Sequence, residues 1–252
     1  MPQFRVNAQD VDEEAGRAVV RGAEARHMSR VLRLRPGQRV QVFDGVGGRW
    51  SGVVERAEAE TEVWVAGLSR LPGNEPTLDL ELLVALPKGE RWEGVLEKGT
   101  ELGVARFLPV YTGRTVPRLR EDRRAAKVDR WSRIVAAAAK QCERGRVPVV
   151  KPPVDLAEAL ETLGPPRPGE VRIVWAERRG RDPWPSLRPA RVVLASGPEG
   201  GWAPEDLERL TAAGFVTMGL GPRILRADTA AVVGAALAQA RWGDLVGRAP
   251  GW

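Results

Sequence analysis

Two glycine-rich segments in the last quarter of the chain carry the residue types that most readily build a ligand site. The first, Ser196–Trp202, follows the apolar run Val192–Ala195. The second, Leu220–Thr229, follows another apolar run and contains Arg223 and Arg226. Glycine lets a backbone approach a ligand closely, and loops at the carboxyl ends of strands are where open α/β sheets bind ligands. The loops therefore indicate a binding site, although each one alone is compatible with an ordinary strand–helix turn.

The residue inventory excludes several other chemistries. Cys142 is the only cysteine and His27 the only histidine, so neither an intramolecular disulfide nor a Cys/His zinc site can form. A Ser-His-Asp triad would have to use His27, and no nucleophile elbow accompanies it. No clustered Asp/Glu motif suggests a metal site. Neither loop matches the P-loop or the G-x-G-x-x-G pattern, so phosphate or dinucleotide binding is not indicated.

The charge of the chain is unevenly distributed. Its net charge is +6, and residues 114–151 hold 12 Lys/Arg and 4 Asp/Glu, whereas residues 1–70 hold 11 and 10. Because the excess is local, an arginine-rich coding bias is an incomplete explanation, and a nucleic-acid partner is favoured over a membrane. The longest apolar stretch is about half the roughly 20 residues that cross a bilayer. We therefore expect a cytoplasmic protein that does not bind membranes.

The elements that must position the two loops divide the chain into two regions. Short alternating stretches at 39–44, 50–55 and 62–67, separated by glycine turns, predict a small β-barrel over residues 1–70. Residues 71–77 contain two prolines and a glycine and predict a linker. Strand and helix patterns then alternate, which predicts an α/β domain with a mainly parallel sheet over residues 78–252.

Within the second region, the periodicity predicts both strands and helices. The strands are predicted at 78–86, 107–111, 171–176, 192–195 and 215–220, and the helices at 90–102, 122–143, 204–213 and 228–242. In the long helix, Trp131 and Val135 belong to an apolar face. The opposite face is predicted to carry the basic residues Arg130, Arg133, Lys140 and Arg144. This basic face is either solvated or a contact surface for RNA or a dimer partner.

Taken together, the two loops resemble those of the SPOUT class of RNA methyltransferases, which use S-adenosylmethionine (SAM). GPEGGW, followed about twenty residues later by LGPRILRADTA, resembles in particular the bacterial family that makes 3-methyluridine in 16S ribosomal RNA. Three further segments are similar to that family in the same order along the chain: RHMSRVLRLRPGQRVQVFDG, ALPKGERWEGVLEKGTELGV and AAKQCERGRVPVV.

This resemblance implies a fold and a reaction. It implies a PUA-like β-barrel followed by a SPOUT α/β domain with a C-terminal trefoil knot. It also implies a homodimer that binds SAM in the knot, beside the subunit interface, and methylates uracil N3 in 16S ribosomal RNA of the small ribosomal subunit. Two alternatives stay open, namely another SPOUT reaction such as ribose 2′-O-methylation, and a non-catalytic RNA-binding assembly factor.

The same resemblance assigns roles to individual residues. SAM is expected to be enclosed by backbone groups of Leu194, Gly197, Leu220 and Ile224, with Ser196, Gly200, Gly221, Leu225 and Thr229 nearby. Arg226 is expected to stabilise the developing N3 anion or to hold a phosphate. Glu199 is the candidate to accept the N3 proton or orient the base, or else to brace its own loop. Asp228 and Thr229 are expected to cap the last helix.

In the first region, a cluster of basic residues is a candidate for gripping RNA phosphates, although a lone histidine is more often structural. The cluster consists of Arg26, His27, Arg30, Arg33 and Arg35.

Overall fold

The computed structural model describes residues 1–58, 61–115, 118–176 and 184–246. The chain packs as two units. The first unit contains Met1–Glu75 together with Ala136–Val147, and the second contains Pro76–Val135 and the chain from Pro148 onward. The sequence did not suggest that the chain returns to the first unit after residue 135. The division predicted at residues 71–77, with domains at 1–70 and 78–252, stays a prediction; residues 247–252 lie outside the described residues.

The first unit is built on a curled six-stranded sheet. Its strands are β1 (Gln3–Arg5), β2 (Val11–Asp12), β3 (Arg17–Arg21), β4 (Arg39–Phe43), β5 (Arg49–Glu58) and β6 (Glu62–Arg70). The spatial order is β1-β4-β5-β6-β3-β2, and every pair is antiparallel except β1–β4. A short helix α1 (Gly22–Arg26) leads into a π-helical turn, His27–Val31. The core of this unit includes the buried Phe4, Met28 and Val42.

The returning segment Ala136–Val147 is joined to the rest of the first unit by ion pairs. The Arg144 guanidinium, only 4% exposed, lies 2.8 Å from the Glu75 carboxylate. The buried Arg49 of β5 lies 3.2 Å from Glu143, and Lys140 lies 2.7 Å from Glu24. Buried ion pairs need their partners to remain compensated, so these contacts hold the segment in place.

The second unit is an α/β fold with a seven-stranded parallel sheet. Its elements are β7 (Asp79–Ala85), α2 (Arg91–Glu101), β8 (Val104–Tyr111), α3 (Glu121–Gln141), β9 (Val149–Val150), β10 (Val154–Asp155), α4 (Leu156–Leu163), β11 (Glu170–Trp175), β12 (Arg191–Ser196), α5 (Pro204–Ala212), β13 (Val216–Met218) and α6 (Ala227–Trp242). Helix α3 belongs to this unit up to Val135, and its last turns, from Ala136, belong to the first unit. The spatial order is β10-β8-β7-β12-β11-β13, and β9 also pairs with β8. The sheet's central strands, such as β12, are buried almost throughout, which is why they read as continuous apolar runs.

A ladder of charges crosses the amino ends of four of these strands. Glu81 of β7, only 3% exposed, accepts hydrogen bonds of 2.7 Å from Arg106 of β8 and of 2.7 Å from Arg191 of β12. Arg191 also lies 3.2 Å from Glu170 of β11. Burial alone would lower the pKa of Arg106, but its hydrogen bonds with Asp79 and Glu81 outweigh burial and raise that pKa. Charge pairs therefore hold the strands together at their amino ends, whereas the strand–helix loops extend from their carboxyl ends.

Most of the predicted elements are confirmed, with shifts of a few residues at their ends. The strand predicted at 215–220 is shorter, because β13 covers only Val216–Met218. The long helix ends at Gln141, so the prediction that Arg144 lies on its outer face is wrong. Seven of the labelled elements were not predicted, namely β1, β2, β3, β9, β10, α1 and α4.

Candidate functional site

A cleft of about 740 Å³ opens at the carboxyl ends of the parallel strands in the second unit. One wall is the loop that follows β12, and another is the loop 220–226 that leads into α6. Trp175 and Ala176, at the end of β11, and Arg114, after β8, complete the lining. The cleft therefore brings both glycine-rich loops together at the place where parallel α/β sheets bind ligands.

The loop after β12 is held by two hydrogen bonds from buried side chains. The Ser196 hydroxyl donates to the Ala227 carbonyl at 3.1 Å, which ties this loop to the first turn of α6. The Trp202 indole N–H donates to the Trp175 carbonyl at 2.9 Å, which ties it to β11. A Cβ atom at Gly197 would lie 3.0 Å from the Trp202 ring, so a larger residue would require the ring or the loop to move. The glycine thus allows the backbone to pass over the indole.

The second loop turns through Gly221, whose φ of +95° lies in the region that favours glycine. Leu220 and Leu225 are half-buried, whereas Ile224 is 61% exposed. Helix α6 begins at Ala227, so its N-cap residue is Arg226, which makes no side-chain cap hydrogen bond. The prediction that Asp228 or Thr229 caps this helix is therefore wrong. Asp228 lies in the first turn, where a carboxylate is favoured by the helix dipole.

Two arginines of the second loop, Arg223 and Arg226, line the cleft with exposed side chains. Within the described part of the chain, neither guanidinium has a hydrogen-bond or ion-pair partner. Their positive charge is therefore available to a ligand or substrate at the mouth of the cleft.

Glu199 also lines the cleft, but its carboxylate is already engaged. Its Oε1 atom accepts hydrogen bonds from the Lys88 backbone N–H at 3.2 Å and from the Arg91 guanidinium at 3.1 Å. Lys88 and Arg91 belong to the segment between β7 and the first turn of α2. The carboxylate therefore braces the loop after β12 against the neighbouring segment.

Most of the residues predicted to bind the cofactor do line the cleft. These are Ser196, Gly197, Gly200, Leu220, Gly221, Ile224 and Leu225. Leu194 is not among the lining residues and its side chain is buried within β12, so the contact expected from its backbone groups stays a prediction. Thr229 does not line the cleft either, since it lies on an exposed part of the first turn of α6, away from the lining.

Sequence reasoning missed the contribution of β11 to the cleft. Trp175 pairs in register with Ser196, so β11 and β12 end side by side. The apolar run predicted at 171–176 was the available signal, but the sequence does not show that this strand lies next to β12. Arg114 was missed for a similar reason, because only the fold places the end of β8 near Gly200. Its guanidinium donates to the Gly200 carbonyl at 2.9 Å.

The basic cluster predicted in the first unit lies on the surface. Arg26, His27, Arg30, Arg33 and Arg35 are all exposed, on α1, the π-helical turn and the segment after it. Val31 and Leu32, exposed by 68% and 42%, lie within the same segment. The His27 ring centroid is 6.1 Å from that of Phe4, so this histidine also packs against the core.

The basic residues predicted along the long helix do not form one free surface. Arg130 lies 2.8 Å from Glu93, and this hydrogen bond raises the pKa of Arg130. Arg133 donates to the Asp129 carbonyl at 3.3 Å. Lys140 and Arg144 make the ion pairs of the returning segment. Arg144 is buried against Glu75, so its side chain is not exposed for the RNA contact that was predicted for it.

Two family models match the chain. A model described as an RNA methyltransferase domain matches residues 74–239, and a model described as an RNA methyltransferase PUA domain matches residues 20–64. The chain is 37% identical over 223 residues to a ribosomal RNA small subunit methyltransferase E of Synechocystis, covering 86% of this chain and 70% of that one. It is 33% identical over 220 residues to the protein of that name from Mycobacterium tuberculosis, covering 86% and 83%.

Solved structures agree with these relatives. A ribosomal RNA small subunit methyltransferase E from Neisseria gonorrhoeae, bound to S-adenosyl methionine, superposes with a TM-score of 0.86 at 29% identity, over 98% of this chain and 100% of that one. A methyltransferase from Legionella pneumophila in complex with SAM superposes with a TM-score of 0.83 at 28% identity, over 96% and 98%. In the described residues, no helix is both long and apolar enough to cross a membrane, and no acidic, Cys or His group could hold a metal ion.

Proposed function

The chain belongs to the family of ribosomal RNA small subunit methyltransferases E, and we propose that it transfers a methyl group from SAM to N3 of a uracil in 16S ribosomal RNA of the small ribosomal subunit. One observation carries the proposal: both glycine-rich loops converge on a single cleft in the family-matched part of the chain, together with Arg223 and Arg226, which have no partner among the described residues. We place this reaction in the cytoplasm, where ribosomal subunits are found in bacteria.

The residues of the cleft fit SAM. The side chains of Trp175, Leu220 and Leu225 offer apolar surface for an adenine ring, and the backbone at Gly197 and Gly200 can approach the ligand's polar groups. A volume of about 740 Å³ is in the range of small-molecule sites. When bound, SAM supplies an activated methyl group, so the chain's own residues have to bind, orient and stabilise charge.

Arg226 is the residue proposed to act on the target base. Uracil N3 lies on the Watson–Crick edge, so the base has to be unpaired or flipped out of a stack to enter the cleft. N3 also loses its proton as the methyl group arrives, and negative charge develops on the base. The exposed guanidinium of Arg226, at the rim of the cleft, can stabilise that charge.

For Glu199 we propose the bracing role rather than that of proton acceptor. Its carboxylate already binds the Arg91 guanidinium and the Lys88 N–H. A carboxylate held by two donors keeps its loop in place, and that contact gives Glu199 a structural role in the loop.

The trefoil knot is part of the proposal. The strand order β7-β12-β11-β13 is not sequential, and the Ser196–Ala227 hydrogen bond joins the first loop to the start of α6. Both features are compatible with the final helix passing through the loop region. A crystal structure of the full chain would test the knot, since a final helix that does not pass through a loop of the chain would contradict it.

A homodimer is likewise proposed, with α6 at its interface. This helix is apolar on nearly all sides, which is typical of a helix buried all round. One face packs inside the unit through Ala231, Ala235 and Ala238, yet Leu237 is 40% exposed and Val233 only half-buried. Because α6 starts at the cleft, a second copy bound there would lie beside the SAM site.

Methyl transfer to unmodified small-subunit RNA tests the function. Purified protein is incubated with isotopically labelled SAM and either 16S ribosomal RNA or small subunits lacking the modification, and nucleosides are analysed by mass spectrometry. We expect labelled 3-methyluridine. Labelled 2′-O-methylnucleosides would support the alternative SPOUT reaction. No transfer, together with no SAM binding by calorimetry, would support the assembly-factor alternative.

A further inference from the structure

A second cavity, of about 590 Å³, lies beside the cleft, and we call it the side cavity. It is bordered by the end of β8 with its following loop and by the first residues of α4 and α5. Arg114 and Pro204 line both the side cavity and the cleft. Since the two spaces share walls, a polymer that places one of its units in the cleft can reach the side cavity with an adjoining unit.

The loop that carries Arg114 is held in place by polar contacts. The carboxylate of Asp206, which is 4% exposed, accepts a hydrogen bond of 3.1 Å from the Gly113 N–H. The Thr115 hydroxyl accepts one of 3.0 Å from the Thr112 N–H and lies 3.0 Å from the Thr112 hydroxyl. A buried carboxylate on α5 thus fixes the backbone next to Arg114 and sets the position of this arginine at the border of the two spaces.

The charged side chains that line the side cavity differ in how many of their polar atoms already have partners. Arg118 lies 2.8 Å from Asp155 and 5.0 Å from the centroid of the Tyr111 ring, so both members of that pair are occupied. Arg114 uses one of its donors on the Gly200 carbonyl. The exposed Arg209 guanidinium has no hydrogen-bond or ion-pair partner among the described residues.

Arg114 and Arg209 therefore keep donors that suit a phosphate, which arginine binds through several N–H groups at once. The exposed Glu205, at the start of α5, lines the same space. A carboxylate there repels a free phosphate, but it can accept a hydrogen bond from a ribose 2′-hydroxyl, the group that distinguishes RNA from DNA. The mixed lining thus fits a ribose-phosphate unit better than an isolated anion.

We infer that the side cavity binds the ribose-phosphate of the nucleotide next to the target uracil, with Arg114 binding its phosphate. This inference rests on the proposed function. Arg114 acts here as a positioning residue, because a contact to the adjoining phosphate fixes the strand from which the target base enters the cleft.

Arg114→Ala tests this role in the full-length protein. Steady-state methyl transfer to unmodified small subunits or 16S ribosomal RNA is measured over a range of salt concentrations, and SAM affinity is measured by calorimetry. We expect the KM for RNA to rise about tenfold, with kcat and the SAM Kd changed less than about threefold. The slope of log kcat/KM against log salt is expected to fall by about one, since one phosphate contact is lost.

Arg114→Lys keeps the charge without the planar fork, so it should restore the salt slope and recover part of the KM. Arg167→Ala, an exposed arginine outside both cavities, serves as the control and should match the wild type. An unchanged RNA KM and slope in Arg114→Ala would overturn the inference. So would a weakened SAM Kd with an unchanged slope, since Arg114 would then serve only the Gly200 turn. Failure of the proposed function is separate, because the wild type would then make no 3-methyluridine.

Discussion

Arg226 combines three properties at the scale of a single residue. It lines the cleft, it is exposed, and its guanidinium has no partner among the described residues. An arginine held only for stability would be expected to pair with a carboxylate, as Arg144 does with Glu75. The absence of such a pair leaves its charge for the substrate.

Arg226→Ala should therefore lower kcat about 100-fold, the scale expected for losing one group that stabilises developing negative charge. The SAM Kd should change less than about twofold, because Arg226 acts on the base. Radiometric methyl transfer and calorimetry measure the two quantities. Arg188→Ala, an exposed arginine away from the cleft, is the matched control. Unchanged turnover in Arg226→Ala would remove this residue from the mechanism.

A double-mutant cycle with Arg91 can distinguish the two roles considered for Glu199, namely bracing its loop and accepting the N3 proton. If the pair only braces the loop, Glu199→Ala, Arg91→Ala and the double variant should each lower kcat by a similar factor of about ten, because residues acting through one contact are not additive. Methyl-transfer rates of the three variants provide the measurement. A loss in Glu199→Ala at least ten times that in Arg91→Ala would instead identify Glu199 as the proton acceptor.

At the scale of elements, the parallel sheet has two differently built ends. The carboxyl ends of β11 and β12 meet in register at Trp175 and Ser196 and open into the cleft. The amino ends carry the charge ladder centred on Glu81. The ladder joins the strands at the end of the sheet opposite the cleft, and the loops at the cleft end take no part in it.

Glu81→Ala should destabilise the fold by about 3 kcal/mol, because it leaves the guanidinium groups of Arg106 and Arg191 without their buried partner. Urea unfolding followed by circular dichroism measures the change. Glu97→Ala, on the exposed face of α2, should change stability by less than about 0.5 kcal/mol. A loss below about 1 kcal/mol in Glu81→Ala would show that Asp79 and Glu170 compensate the two arginines without it.

At the scale of the whole molecule, the proposal needs an RNA-binding surface outside the cleft. The exposed cluster of the first unit is the candidate, and the match of a PUA model to residues 20–64 covers all of it. Replacing Arg26, Arg33 and Arg35 together by alanine should weaken RNA binding and reduce its salt dependence, by up to about one unit of slope per lost phosphate contact. Filter binding at several salt concentrations measures both. An unaltered slope would argue against this surface.

The proposed dimer predicts a defined change in mass. Light scattering coupled to gel filtration should give about twice the chain mass of 27.5 kDa for the wild type. Leu237→Arg should shift the protein to the monomer and lower methyl transfer, because a charge buried in an apolar interface is costly. Leu187→Arg, at a leucine of similar exposure outside α6, should stay dimeric. A monomeric wild type would contradict the proposal.

Local patterns in the sequence were sufficient to predict several of these features. The apolar runs predicted the main strands of the parallel sheet, and the glycine, proline and arginine residues of two short loops predicted the two loops that line the cleft. These signals are readable because strand burial, turn chemistry and helix periodicity depend on residues close together in the chain. The order of the motifs added the family, which the family models and relatives then showed.

Only the tertiary structure determines the features that depend on residues far apart in the chain, namely strand order, burial and the lining of the cleft. Only the strand order places Trp175 beside Ser196, and only the return of Ala136–Val147 buries Arg144 against Glu75. Leu194 belongs to the sheet core and Thr229 lies off the cleft, because small differences in where β12 ends and α6 begins decide which residues line the cleft. The side cavity is likewise formed by β8, α4 and α5, which are far apart in sequence. Burial and ion pairing are properties of packed partners, and periodicity alone does not identify those partners.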